Sequence, residues 1–132
     1  VIIWDAQTGK QIFKLNPHRS KIMALAFSPD GKSFATASAD RDAKLINLKS
    51  GTEAAVFSGH DDQLSGLSFS IDGTRIATAS SDQTVKIWDT KTGQNVLSIP
   101  YEIQVYTAVF GPDKKSLWTL PLDGTIRVLN GN

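Results

Sequence analysis

The chain has 132 residues, of which 40% are hydrophobic; this is enough for the core of one domain and excludes a disordered chain. The formal net charge is +1 without any block of like charges, which argues against a dedicated nucleic-acid-binding protein. The absence of cysteine excludes disulfides, cysteine zinc sites and thiol catalysis. The apolar runs are too short to span a membrane and no signal-peptide pattern is present, so we expect an intracellular, cytoplasmic protein without membrane contact.

Short alternating segments rich in β-branched and aromatic residues, separated by turn residues, predict an all-β fold. In chain order the predicted units are the end of one sheet at 1–15, four-stranded sheets at 21–58 and 63–99, and a three-stranded sheet at 105–130. Tight turns such as Asp72-Gly73 join neighbouring strands, so each unit is predicted to be an antiparallel meander.

The predicted strands are 1–4, 11–15, 21–28, 33–38, 43–48, 53–57, 64–70, 75–80, 85–89, 94–99, 105–110, 116–120 and 125–130. The first strand of each sheet alternates small and large side chains, as Ala24 and Ala26 alternate with Leu25 and Phe27. Small side chains predict a strand crowded near an axis, and large ones predict packing between sheets. Pro121 removes a backbone donor, so its strand is predicted to be irregular there.

A block of residues recurs at an interval of 42 positions and ends, in its best copy, in Trp88-Asp89. A fixed interval of this length indicates a repeat architecture. The paired positions are His18 and His60, Asp30 and Asp72, and Asp40 and Asp82.

The chain resembles the WD-repeat family over nearly its whole length, on Gly59-His60, Asp72-Gly73, Asp82 and Trp88-Asp89. The resemblance implies a β-propeller, with antiparallel four-stranded blades around a central channel, of which this chain would supply about three blades. It also implies a rigid platform that binds other proteins and uses no cofactor.

The resemblance further implies a hydrogen-bonded set of four side chains, because a buried indole N–H needs an acceptor. The set maps onto His60, Ser80 (or Thr78 on the same face), Asp82 and Trp88. The first copy keeps His18, Ser38 and Asp40 but has Ile46 at the Trp position, and the third has Tyr101 at the His position and Leu129 at the Trp position.

His60, Ser80 and Asp82 also have the composition of a hydrolase triad, although a triad is recognised by geometry. The chain has no Gly-x-Ser-x-Gly turn and Ser80 lies within a strand, which favours the structural role. A hydrolase or enzyme-accessory domain stays an alternative, as does a nucleic-acid-binding platform. Two histidines 42 positions apart and no Asp-rich loop predict no metal site.

The three tryptophans differ in what they predict. Trp88 and Trp4 stand at equivalent repeat positions, where a packing role is expected. Trp118 stands where the other copies have Ala35 and Ala77, so it is expected to pack unusually or to be partly exposed.

Protein partners are expected to dock on the loops that connect fourth to first strands and second to third strands. Exposed Arg and Tyr are typical of interface hot spots. The candidate binding residues are Arg19, Arg41, Asp61, Asp62, Tyr101 and Glu102.

A propeller needs about four to eight blades, so the chain is expected to be part of a larger propeller or to close a ring with identical chains. The segment 1–4 would duplicate the third strand at 125–130 in such a ring, which favours a fragment, as does the absence of an initiator Met. The function predicted from the sequence is therefore a non-enzymatic scaffold for protein–protein interaction.

Overall fold

The computed structural model describes residues 1–131, which form thirteen β-strands. Those residues contain no helix, and hence none long and apolar enough to cross a membrane. The strands are β1 (Ile2–Trp4), β2 (Gln11–Lys14), β3 (Ile22–Phe27), β4 (Ser33–Ser38), β5 (Ala43–Asn47), β6 (Glu53–Phe57), β7 (Leu64–Phe69), β8 (Arg75–Ser80), β9 (Thr84–Asp89), β10 (Asn95–Pro100), β11 (Val105–Phe110), β12 (Ser116–Pro121) and β13 (Arg127–Asn130).

The strands form a hairpin and three sheets in which every neighbouring pair is antiparallel. The hairpin is β1–β2, the first sheet runs β3-β4-β5-β6, the second β7-β8-β9-β10, and the third β11-β12-β13. The predicted all-β class and the four-stranded antiparallel sheets are therefore confirmed.

The sheets pack against one another with small side chains on one side and large ones on the other. Ala35 and Ala37 of the first sheet share a buried cluster with Leu67 and Trp88 of the second. Ala24 and Ala26 of β3 also pack against this cluster, so the small side chains of a first strand lie where two sheets meet closely. Crowding near an axis stays a prediction.

Between the second and third sheets the strands β7 and β11 approach very closely. A Cβ added at Gly66 would lie 2.7 Å from the Cα of Thr107, so only glycine fits this contact.

Each first strand begins with the same irregularity. The register shifts between Ile22 and Ala24 and between Leu64 and Gly66, and again after Val105. The irregularity predicted at Pro121 is present: the register shifts beside the Val105–Pro121 pair, and the pairing of β12 with β13 ends at Thr119, one residue earlier than the equivalent pairings of β4 and β8. A bulge leaves backbone groups unpaired, so a residue without an N–H is tolerated there.

The bulge also changes which large side chains pack. Met23 and Tyr106 sit at the extra position and are exposed, whereas they were expected between sheets. Leu25 and Phe27 also face away from the second sheet and are exposed, Phe27 by 57%.

The three tryptophans occupy different environments. Trp88 is buried, whereas Trp4 is 57% exposed, so the packing role expected for Trp4 is wrong: its two-stranded hairpin offers no sheet to cover it. Trp118 is 46% exposed, and its indole N–H donates to the Ser116 hydroxyl at 3.1 Å.

Candidate functional site

The second sheet contains a chain of hydrogen bonds that joins four side chains from four different segments. Nδ1 of His60, in the loop before β7, lies 2.7 Å from Oδ2 of Asp82, in the β8–β9 loop. Nε2 of His60 lies 2.8 Å from the hydroxyl of Thr78 on β8. Trp88 on β9 donates its indole N–H to the same hydroxyl at 2.8 Å. The hydroxyl of Thr78 is thus the buried junction of the set.

The protonation of the set follows from the carboxylate. Burial raises the pKa of Asp82, but hydrogen bonds from the Thr84 hydroxyl, the Asp61 backbone N–H and His60 outweigh burial and lower that pKa to about 2. The ionised carboxylate accepts the Nδ1–H of His60, so Nε2 accepts the hydroxyl proton of Thr78. Burial lowers the pKa of His60 although Asp82 opposes it, which keeps the ring neutral at pH 7.

Ser80 does not take the place expected for it. Its hydroxyl donates to the backbone carbonyls of Asp62 and Gln63 at 3.1 and 3.0 Å and accepts the backbone N–H of Asp82. Thr78 and Ser80 point to the same face of β8, but Ser80 lies at the end of the strand, where it meets backbone carbonyls of the loop before β7. Ser80 is therefore a loop anchor, and its hydroxyl makes no hydrogen bond to His60.

The first sheet has the same arrangement without the tryptophan. Nδ1 of His18 lies 3.0 Å from both carboxylate oxygens of Asp40, and its Nε2 lies 2.8 Å from the hydroxyl of Thr36. Ser38, which was expected in this set, instead donates to the Lys21 carbonyl at 2.9 Å. Ile46 fills the Trp position as a buried apolar side chain.

The third sheet replaces the histidine with Tyr101. Its hydroxyl lies 2.8 Å from that of Thr119, and the guanidinium of Arg127 lies 5.5 Å from the centre of its ring. Arg127 in turn donates to Asp123 at 3.0 Å. Tyr101 is half-buried and hydrogen-bonded inward, so it is a structural residue rather than the exposed anchor that was expected.

In the sequence analysis Ser80 and Ser38 were preferred to Thr78 and Thr36, yet the sequence carries a signal for the threonines. The second strands carry both a Thr and a Ser in the first two copies, whereas the third has Thr119 but Pro121 in place of the serine. A hydroxyl at the threonine position is the only one that all three copies share. Arg127 had no such signal, since its role depends on the Tyr101 ring.

The hydrogen-bonded sets also fix the loops at one end of the sheets. Asp40 accepts the backbone N–H of Arg19 at 2.9 Å, and Asp82 accepts that of Asp61 at 3.0 Å. Each carboxylate therefore ties the loop before a first strand to the loop after a second strand. We call this end of the sheets the loop face, comprising loops 16–20, 39–42, 58–63, 81–83, 100–104 and 122–124.

The loop face carries exposed charges in two groups. Arg19 and Arg41 are exposed on the loops of the first sheet, whereas Asp61, Asp62 and Glu102 are exposed on the following loops. The Arg41 guanidinium reaches the carbonyl of Asp61 at 3.4 Å. Arg41 also has a φ of 77°, and the equivalent turn positions Gln83 and Gly124 have φ values of 67° and 78°, so a positive φ is a property of this turn in each sheet. Among the described residues no three His, Cys, Asp or Glu side chains lie together as metal ligands.

Comparison with known families decides what this repeat is. The family described as WD domain, G-beta repeat matches residues 9–47 and 51–89, more than half of the chain. The chain belongs to the WD-repeat family. Each matched segment begins two residues before a fourth strand, β2 or β6, and ends with the third strand of the next sheet, so a WD repeat here is offset from a sheet. The third sheet lies outside both matches, in agreement with its loss of the His and Trp positions.

Relatives of this WD-repeat chain match it over one segment only. Coronin-7 of Mus musculus is 44% identical over 50 residues, which are 38% of this chain and 5% of coronin-7. Protein HIR1 of Eremothecium gossypii is 36% identical over 53 residues, or 40% of this chain and 6% of that protein. Eukaryotic translation initiation factor 3 subunit I of Bombyx mori is 42% identical over 50 residues, or 38% of this chain and 15% of that protein. WD repeats generally mediate protein–protein interaction and are typically non-enzymatic.

Proposed function

We propose that this WD-repeat chain is a non-enzymatic scaffold that binds a protein partner on its loop face. The observation that carries the proposal is the attachment of the loops to the buried sets: the carboxylates of Asp40 and Asp82 hold the backbone of Arg19 and Asp61. Loops held in this way present their side chains without a large ordering cost on binding.

The charges on the loop face support a partner with a matching pattern. Arg19 and Arg41 stand on one side, and Asp61, Asp62 and Glu102 on the other. A partner that places acidic groups over the arginines and basic groups over the carboxylates gains attraction in one orientation and repulsion when reversed.

The chemistry of the buried set supports a structural role rather than a hydrolytic one. A serine nucleophile needs a hydrogen bond from its hydroxyl to the general base. Here Nε2 of His60 is occupied by Thr78, and the Ser80 hydroxyl donates to backbone carbonyls. A nucleic-acid-binding platform finds no support in a loop face where three exposed carboxylates accompany two arginines.

The proposal also includes an intracellular location and closure of the ring by further sheets. An intracellular location is supported by the name of one relative, a translation initiation factor subunit. Closure of the ring by further sheets, from a longer chain or from identical chains, is supported by the exposed apolar side chains of Phe27 and Trp118 on the two outer sheet faces.

Charge exchange on the loop face tests the scaffold. We expect Arg41→Glu combined with Asp62→Arg, which leaves the net charge unchanged, to remove the partners that co-purify with the protein from cells. The matched control is Lys44→Glu with Glu53→Lys, an exposed ion pair away from the loops, which should retain them. Equal partner sets for the exchange variant and the unaltered protein, measured by quantitative mass spectrometry, count against the proposal.

A further inference from the structure

The opposite end of the sheets carries a second charged surface of different construction. There the turns between first and second strands and between third and fourth strands lie side by side. A Cβ at Gly73 would lie 3.5 Å from Pro29, and a cleft is lined jointly by Asp30, Asp72 and Lys91. We call this end the turn face.

Four turns on this face present a lysine in the same way. A side-chain oxygen of Asp or Asn accepts the backbone N–H of a lysine two residues later, at 2.9 or 3.0 Å. The bond fixes the backbone of the lysine while its side chain extends into solvent. The pairs are Asp30 with Lys32, Asn47 with Lys49, Asp89 with Lys91, and Asp113 with Lys115.

The ammonium groups of these four lysines are available to a partner. All four residues are exposed, and the ion pairs found within residues 1–131 use other basic side chains. The turn carboxylates are engaged with their own turns: hydrogen bonds from Ser28 and the Lys32 backbone lower the pKa of Asp30, and hydrogen bonds from Ser70 and Thr74 lower that of Asp72 to about 2. The face therefore combines carboxylates that are hydrogen-bonded within their own turns with lysines that form no ion pair within residues 1–131, although the Lys32 charge also helps to lower the pKa of Asp30.

We propose that the turn face binds an acidic protein segment, which places its carboxylates on Lys32, Lys49, Lys91 and Lys115. A second cleft, lined by Gly31, Lys32, Leu48 and Lys49, sets two of these cations beside an apolar side chain and provides the centre of the contact. This surface lies at the other end of the sheets from the loop face, so it is independent of the scaffold function proposed above.

The arrangement favours a flexible acidic segment over a uniform anionic surface. The lysines alternate with ionised carboxylates such as Asp72 and Asp89, so a lipid bilayer or a nucleic acid would bring phosphates against both signs. A flexible segment can place a carboxylate at each ammonium group and avoid the turn carboxylates.

The test uses a fluorescein-labelled peptide in which four Glu residues are separated by Gly-Ser spacers, with phosphatidylserine vesicles and a dT20 oligonucleotide as the competing classes. We expect saturable binding of the peptide at low salt that weakens as salt increases. Lys32→Gln with Lys49→Gln should raise the dissociation constant about fivefold, since exposed ion pairs are individually weak.

The matched control is Arg19→Gln with Arg41→Gln, which removes the same charge from the loop face and should leave peptide binding unchanged. Thermal unfolding shows whether each variant is folded, and all four substituted side chains are exposed. Equal loss in the control, no peptide binding at low salt, or tighter binding of vesicles or oligonucleotide than of peptide each overturns the proposal.

Discussion

Thr78→Val removes one hydroxyl from the centre of the second sheet and keeps the shape of the side chain. The hydroxyl accepts the Trp88 indole N–H at 2.8 Å and lies 2.8 Å from Nε2 of His60, and no buried side-chain polar atom of the described residues lacks a partner. The substitution leaves two buried groups unsatisfied. Each costs about 1–3 kcal/mol, so we expect a loss of about 2–6 kcal/mol in the free energy of unfolding.

The same change in the first sheet supplies an internal comparison. Thr36 bonds to His18 but to no indole, because Ile46 takes the Trp position, so Thr36→Val leaves one group unsatisfied and should cost about 1–3 kcal/mol. Ser80→Ala should also cost less than Thr78→Val: it removes the partner of the Asp82 backbone N–H, but the Asp62 and Gln63 carbonyls that lose its hydroxyl belong to exposed residues, and the Gln63 carbonyl keeps a backbone N–H.

Urea denaturation followed by tryptophan fluorescence and by circular dichroism measures these differences as shifts in the midpoint at constant slope. A double-mutant cycle between Thr78→Val and Trp88→Phe isolates the indole bond and should give a coupling energy of about 1 kcal/mol. If Ser80→Ala were as costly as Thr78→Val, or if Thr36→Val and Thr78→Val cost the same, the assignment of Thr78 as the junction would be refuted.

Three other outcomes are expected. The free energy of unfolding should decrease in two steps as pH is lowered. The first step lies below 6.5, because the buried His60 has a lowered pKa and the unfolded chain binds the proton first; the second lies between about 4 and 2, where Asp82, with a folded pKa of about 2, loses its charge. Denaturation at pH 7.5, 5.5 and 3.5 measures both steps, and equal stability at pH 7.5 and 5.5 contradicts the first. Gly66→Ala should cost about 1–3 kcal/mol in the free energy of unfolding, because the new methyl group meets the Thr107 backbone at 2.7 Å. Denaturation measures the loss, and a change of less than about 0.5 kcal/mol would exclude the close contact. Gly111→Ser should destabilise the third sheet and shift Trp118 fluorescence, because a Cβ would lie 2.0 Å from the Ser116 hydroxyl that holds the indole; an unchanged spectrum would show that this hydroxyl does not hold the ring.

The sheets could be predicted from the sequence more easily than the hydrogen-bonded site, because strands depend on local sequence patterns whereas the site depends on tertiary contacts. Alternating side chains and Asp-Gly turns determine strand positions locally, and the observed β4, β6, β8 and β11 have the predicted bounds. Thr78 and Ser80 both point to the same face of one strand, so alternation cannot distinguish them. Only the position of the His60 ring relative to β8 selects Thr78, and that position is a tertiary property.

The exposure of individual side chains was also not predictable from sequence alternation alone. Met23 and Tyr106 were predicted to pack because they share the alternation of their neighbours, but a bulge at the start of each first strand changes the face on which they lie. A one-residue irregularity moves a side chain from core to solvent, and the composition of these strands contains no mark of it. The exposure of Trp4 has another cause, since it depends on what packs against a two-stranded hairpin.

The three sheets each tie a loop to the second strand with different side chains, and the differences show which residues this connection requires. Each has a second-strand threonine whose hydroxyl meets a ring from the preceding loop, whether that ring is His18, His60 or Tyr101. The aspartate after the second strand also persists, but in the third sheet it binds Arg127 and no longer holds a histidine. The Trp of the Trp-Asp signature is therefore dispensable for tying a loop to a sheet, as the first sheet does so with Ile46 at that position. What the joint needs is a buried hydroxyl and a ring that bonds to it, so variation at the Trp position leaves the loop face attached.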